Sequence, residues 1–296
     1  MGVIMKKETK IAVATGVAAG VATGAAALGG AFTHFGGSEE VVTIDRAGIR
    51  MVVHIDGRCV SPEQLDRWKI RRIRHAELTL GLKPMPLAPA DDMLAQLTRE
   101  KDELGSEEII RRLNSRMDFV TAGTNVAVAA SGGKTVECVT EVDVHGADMN
   151  QFLEDFDAVQ LEPGHENALL NMSVAPDHYF LTAGGGNRLE VIETVGSNIW
   201  PSHFFVCYGE TAALNSKRDP FYEKESAGVA KTPDGLVEGG VRHQFHQTDD
   251  GFKARLCVEF PVILPRSIVK NHQMHLACEF SNWIIALAER RKAETI

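Results

Sequence analysis

The stretch Gly240–Arg291, GVRHQFHQTDDGFKARLCVEFPVILPRSIVKNHQMHLACEFSNWIIALAERR, decides the fold. Its first half reads as a hairpin, with one arm from Gly240 to Gln247, the turn Thr248-Asp249-Asp250-Gly251 and a second arm from Phe252 to Leu264. In the second arm Phe252, Ala254, Leu256, Val258 and Phe260 alternate with Lys253, Arg255 and Glu259, which is the period of a strand with one buried and one wet face. Pro265 ends the strand. From about Ser267 to Arg291 the period becomes helical, and Val269, Leu276, Phe280, Trp283, Ile284 and Leu287 form the apolar stripe. An antiparallel sheet followed by one long helix predicts an α+β helix-grip architecture, in which a curved sheet wraps the helix and leaves a cavity between them. Such a cavity is the usual place for a small ligand.

Working backwards, strands are predicted over Ala168–Val174, Tyr179–Thr182, Arg188–Val195 and His203–Tyr208, with a short helix at Ala147–Val159. Asn125–Ala130 and Thr135–Val144 are β-branched runs separated by Ser131-Gly132-Gly133-Lys134, a hairpin signal. Before about Asp118 the texture is helical. Ser61-Pro62-Glu63-Gln64 starts a helix, with Ser as cap, Pro in the first turn and Gln64 placed to reach back. This helix carries Arg67, Lys69, Arg71, Arg72 and Arg74 beside the stripe Leu65, Trp68 and Ile73. That basic face is read as solvated, with a membrane-facing role as the other option. Two further helices fit Asp91–Leu104 and Glu107–Met117, and Val41–Ile44 with Ile49–Ile55 reads as a short hairpin. The expected division is a leader over 1–37, a mostly helical region over 38–117 and the sheet-and-helix domain over 118–296.

Composition sets the outer bounds. Asp and Glu number 40 against 31 Lys and Arg, a formal charge of −9, which argues against a general nucleic-acid binder. The five cysteines are scattered with no CxxC pair, which excludes a thiolate zinc finger and fits buried thiols. Lys6, Lys7 and Lys10 precede an uncharged Gly/Ala/Val/Thr run from Ile11 to Phe32. Three readings stand: a signal peptide cut near Ala25-Ala26-Ala27, an uncleaved membrane anchor over 11–32, or an Ala-rich leader that does neither.

Several residues stand out chemically. His272, His275 and Glu279 are three and four apart and share one face along the edge of the helix stripe. A His and a Glu one turn apart can ligate a single ion, although an H-x-x-x-E pair by itself is often a surface ion pair. Glu193 falls on the strand face shared by Leu189, Val191 and Val195. A carboxylate there is expensive unless something pairs with it, and a metal ion is one such partner. His165 lies in the loop Leu161–Asn167, and His178, after Pro176-Asp177, is its rival as a ligand. His243 shares its face with Val241 and Phe245, and is expected to face the cavity in place of His246.

The stretch from about Val144 to Leu287 resembles the 2,4-diacetylphloroglucinol and phloretin hydrolases, zinc-dependent enzymes that cut a carbon–carbon bond. The resemblance lies in the order of short segments. His145-Gly146-Ala147-Asp148-Met149 and Gln151–Phe156 look like the family's segment before its first ligand. Glu162-Pro163-Gly164-His165 resembles its ligand turn, and Val191–Gly196 its Glu-bearing strand. Pro201–Phe205 is similar to the segment after that strand, and Val241–Phe245 with Thr248–Gly251 to its histidine-bearing hairpin. His275–Asn282 resembles its closing H-x-x-x-E-F helix. The resemblance implies a Bet v 1-like helix-grip domain in which His165, Glu193, His275 and Glu279 bind Zn²⁺. The substrate would be a small aromatic ketone of the acylated-phenol class, with His243 supplying the proton that the departing ring carbon needs. A homo-oligomer and a membrane association through the leader are both left open. The Trp-His opening of the family's ligand turn is Leu161-Glu162 here, and the segment between Glu210 and Gly240 is short for its substrate-covering region. The alternative function is a non-catalytic helix-grip protein that holds an apolar small molecule or lipid.

Overall fold

Residues 41–294 are described by the computed structural model. The expected leader lies outside them. Among the described residues no helix is long and apolar enough to cross a membrane. The chain runs β1 (Ile44–Arg46), β2 (Ile49–Ile55), β3 (Arg58–Cys59), α1 (Pro62–Leu80), α2 (Ala90–Leu104), α3 (Ser106–Ser131), β4 (Thr135–His145), α4 (Met149–Leu161), α5 (His165–Ser173), β5 (His178–Ala183) and β6 (Arg188–Glu193). After a 3-10 turn at Val195–Ser197 come β7 (Ser202–Tyr208), β8 (Lys224–Lys231), β9 (Val237–Gln247), β10 (Gly251–Pro261) and α6 (Arg266–Glu294).

The ten strands form one curved antiparallel sheet in the order β1-β2-β4-β10-β9-β8-β7-β6-β5, with β3 beside β2. The fold is therefore α+β, compatible with a helix-grip arrangement. The deciding hairpin sits at the centre: β10 pairs with β9 (Val258 opposite Val241) and with β4 (Phe252 opposite Val144). All six stripe residues of α6 are buried, together with Met51, Val53, Val142, Val144 and Leu256 from the strands beneath. A buried hydroxyl ties the two layers, since Thr140 Oγ1 donates to the Gln273 carbonyl at 2.9 Å.

Helices α1 to α3 build a second core on the other side of β5 and β6. Ile73, Leu80, Met93, Leu97, Leu113 and Met117 pack there with Tyr179 and Ile192. Strand β6 is thus covered on both faces, with Ile192 under the helices and Leu189 and Val191 facing inward. The start of α1 matches its sequence signal: Gln64 N–H donates to Ser61 Oγ, and Ser61 N–H donates to Gln64 Oε1.

Two expected strands are helices. Asn125–Ala130 lies inside α3, and Ala168–Ser173 inside α5. Alanine, leucine and methionine favour helix, and the β preference of valine is weak enough for context to override it. The expected boundary near residue 118 also falls in mid-helix, because α3 runs unbroken from Ser106 to Ser131. Strand β8, which has no clear period in Lys224–Lys231, closes the sheet between β7 and β9.

Phe252 is fully buried and packs its ring against Phe152 (5.4 Å between centroids) and Phe245 (6.2 Å). Phe252→Ala is expected to cost about 3–5 kcal/mol of unfolding free energy while leaving ligand binding intact, as measured by urea denaturation beside a metal-content assay.

Candidate metal centre and its cavity

Strand β5 begins at His178, directly across from Glu193 at the end of β6. The pairing then slips: Phe180 faces Ile192, so Tyr179 is an extra residue. Such a bulge re-aims a neighbouring side chain. Tyr179 turns toward the helical layer, and His178 turns inward toward α6, where His275 and Glu279 sit one turn apart.

Four side chains meet there. His178 Nε2 lies 3.1 Å from His275 Nε2, 3.4 Å from Glu193 Oε2 and 3.1 Å from Glu279 Oε2. His275 Nε2 lies 3.6 Å from Glu193 Oε2 and 3.5 Å from Glu279 Oε2. The ligand atoms of His178, Glu193 and His275 all fall within 4.8 Å of one another, a grouping that could hold a metal ion. Glu279 approaches both imidazoles as well. Donors on a tetrahedral ion at about 2.0–2.1 Å from it are about 3.4 Å apart, so the spacing suits such an ion.

His178 Nδ1 is 2.7 Å from the Asn171 carbonyl, so it carries a proton toward that oxygen and, in the neutral ring, leaves Nε2 as a lone pair. His275 Nδ1 faces Asp177 Oδ2 at 3.8 Å, beyond hydrogen-bond range, and has no hydrogen-bond partner among the described residues. Trp68 sets its ring edge-on against His275, with 6.1 Å between centroids.

The charges decide what the cluster needs. Glu193 and Glu279 are both buried, and among the described residues no Lys or Arg pairs with either. Burial holds the Glu193 carboxyl above its ordinary range, with Glu279 adding to the effect and the two imidazoles opposing it. Glu279 is buried too, yet His275 and the His178 hydrogen bond hold it well below that range. Burial would depress His275, but the two carboxylates raise it well above its ordinary value. Without a cation, protons on imidazole must offset the carboxylates. A divalent ion would offset both negative charges at once.

The segment before His178 is clamped from the helical layer. Arg72 of α1 donates to both oxygens of Asp177 at 2.7 Å, and both residues are buried. Despite burial, this guanidinium keeps Asp177 well below the ordinary carboxylate range. Lys101 of α2 is fully buried and donates to the carbonyls of Pro176 (2.9 Å) and His178 (2.6 Å). Burial pushes its pKa down to about 7, with Asp177 opposing. The basic face of α1 is therefore only partly solvated. Arg67 and Arg71 are exposed, but Arg72 is spent on Asp177 and Lys69 is buried against Asp91 and Asp66.

His165 is not in the cluster. It opens α5, is 71% exposed, and faces Asp102 at 3.4 Å. Gly164 and His165 begin a helix that carries the chain around to Asn171, whose carbonyl fixes His178. His178, its rival, stands in the cluster instead, beside Glu193, His275 and Glu279.

A cavity of about 160 Å³ opens beside the cluster. Glu193, Glu279, His243 and His272 line it among Phe156, Leu181, Val191, Phe204, Phe280 and Trp283, and no Lys or Arg does. His243 faces it as expected. Its Nδ1 is buried without a hydrogen-bond partner among the described residues, and burial pushes its pKa down to about 4, with Glu279 opposing. It therefore rests as the neutral ring at pH 7. His272 stacks on His275 at 4.8 Å and accepts the Gly196 N–H at Nδ1 (3.3 Å). Gly196 sits at φ +58° in a turn pressed so closely on α6 that a Cβ would come within 2.4 Å of the Ile268 carbonyl. Compared with known proteins, the chain matches no family model and no curated protein.

His178→Ala is expected to abolish divalent-metal uptake and His165→Ala to leave it unchanged, as read by elemental analysis after loading with zinc. Retained metal in the first variant, or loss in the second, would reverse the assignment. A pH effect also follows. His243 and His272 have folded pKa values of about 4 and about 3 against an ordinary 6.5, so below pH 6.5 the unfolded chain takes up protons that the folded chain refuses. Stability should be full above pH 6.5 and fall toward pH 4 by up to about 1.4 kcal/mol per pH unit for each ring. Denaturation across this range should show a shallower fall for His272→Gln.

Proposed function

We propose that the protein is a zinc-dependent hydrolase of helix-grip, Bet v 1-like type that cleaves the carbon–carbon bond between an aromatic ring and a ketone carbonyl in a small acylated phenol. The observation that carries the reading is the convergence of His178, Glu193, His275 and Glu279 beside a largely apolar cavity that Glu193 and Glu279 help to line. Its size supports a single-ring ligand, since an apolar cavity of about 150 Å³ accommodates benzene. The ordered resemblance to the 2,4-diacetylphloroglucinol and phloretin hydrolases supports the choice of reaction, with His178 in the ligand place.

Zinc held by these four residues would supply a Lewis acid and a source of hydroxide near neutral pH. The protein's own groups do the rest. The Asn171 carbonyl fixes the His178 ring, and Asp177 faces that of His275. Trp283 packs edge-to-face against Phe156 and Phe280 along the cavity wall, and the three rings keep bulk water out. His243 rests neutral, so its role is relay rather than standing acid. Its free nitrogen accepts the proton that water gives up on adding to the carbonyl carbon. It returns that proton to the ring carbon, which departs with the electron pair of the broken bond. The products are a carboxylic acid and the deacylated phenol.

Purified protein should contain about one zinc per chain and release carboxylic acid from acylated phloroglucinols. Glu193→Gln and Glu279→Gln should each lower that rate at least about a hundredfold with loss of metal, and chelation should do the same reversibly. Metal-loaded protein that hydrolyses none of these ketones would leave a binding protein in place of an enzyme.

A further inference from the structure

Strands β8 and β9 pair residue for residue from Lys224 opposite Phe245 to Ala230 opposite Gly239, but the next pair is Lys231 opposite Val237. Glu238 is therefore an extra residue with no partner across the ladder. Along β9, Val241 and His243 face the cavity. Arg242 and Gln244 are engaged elsewhere, Arg242 with Glu225 and Ser216, and Gln244 with the Asp219 backbone. Strict alternation would put Glu238 on the face of Arg242 and Gln244. With the bulge it lines the cavity instead, beside Glu193 and His243. Two glycines permit this local path: a Cβ would come within 2.0 Å of the Glu259 carbonyl at Gly239 and within 2.5 Å of the Gly228 carbonyl at Gly240.

Among the described residues nothing bonds the Glu238 carboxyl, whose electrostatic neighbours are the like charges of Glu193 and Asp234. The carboxyl is half-buried at the cavity wall and can bond a ligand hydroxyl in either protonation state. We propose that Glu238 is the specificity residue of the cavity, hydrogen-bonding a ring hydroxyl of a neutral phenolic ligand. A chamber lined by Glu193, Glu238 and Glu279 and, among the described residues, by no Lys or Arg also disfavours anionic rings. This deepens the hydrolase reading and rests on it for the ligand class.

The test is calorimetric titration of the zinc-loaded full chain with phloroglucinol, fluorobenzene and benzoate. Phloroglucinol should bind at least about tenfold more tightly than the other two. Glu238→Leu should bind phloroglucinol and fluorobenzene alike, Glu238→Gln should keep most of the preference, and both should retain their metal. Glu238→Ala serves if the leucine variant does not fold. A wild type without the preference, or a leucine or alanine variant that keeps it, overturns the proposal. Binding needs no turnover, so the two readings fail separately. Glu238-dependent phloroglucinol binding without hydrolysis of acylated phenols would remove the hydrolase reading alone. Hydrolysis with an unchanged KM in Glu238→Leu would remove the role of Glu238 alone.

Discussion

Two carboxylates buried against two imidazoles, with no lysine or arginine among the described residues to neutralise them, set the terms for the molecule. Glu193 and Glu279 cannot be removed from water as bare charges without a penalty of several kcal/mol each. Everything around them is arranged to make that burial tolerable. The Asn171 carbonyl fixes the far side of His178, and the far side of His275 faces Asp177. Without a cation, protons must stay on imidazole to offset the carboxylates, in conflict with two rings that offer lone pairs. A divalent cation removes that conflict.

This requirement gives the helical layer a purpose. Helices α1 and α2 lie on the far side of β5 and β6 from the cavity, yet Arg72 and Lys101 reach through to hold the three residues Pro176, Asp177 and His178. The buried pair Arg72–Asp177 is weak support for net stability when judged against an apolar replacement. Its value lies in direction, since it sets the carboxylate that faces His275. Helices α1 and α2 and the sheet therefore share one site, across the boundary expected near residue 118.

The fold was largely legible. The long period-two arms of the central hairpin and the apolar stripe of the last helix each offer many positions that agree, so chance matches are averaged out. Glu193 was visible as a carboxylate on an apolar face, and His275 with Glu279 by their spacing. His178 was legible only as a rival to His165, because the alternation rule fails where a strand gains a residue, as it does at Tyr179. Glu238 was hidden for the same reason. Arg72 and Lys101 were unreadable because their partners lie 105 and 75 to 77 positions away, and nothing local distinguishes them from solvated neighbours such as Arg71. Asn125–Ala130 misled because short alternating valines suit either state.

Both irregularities in the strands bracketing the cavity share a meaning. One additional residue reverses which side of a sheet the next side chain occupies, so a wet-face position becomes an interior one without any change in the surrounding framework. Architecture and chemistry are in this sense written separately. A lineage could gain or lose a polar group in the chamber by a single-codon insertion or deletion, leaving the strand order untouched, and relatives with the same ligands need not preserve the same spacing between them.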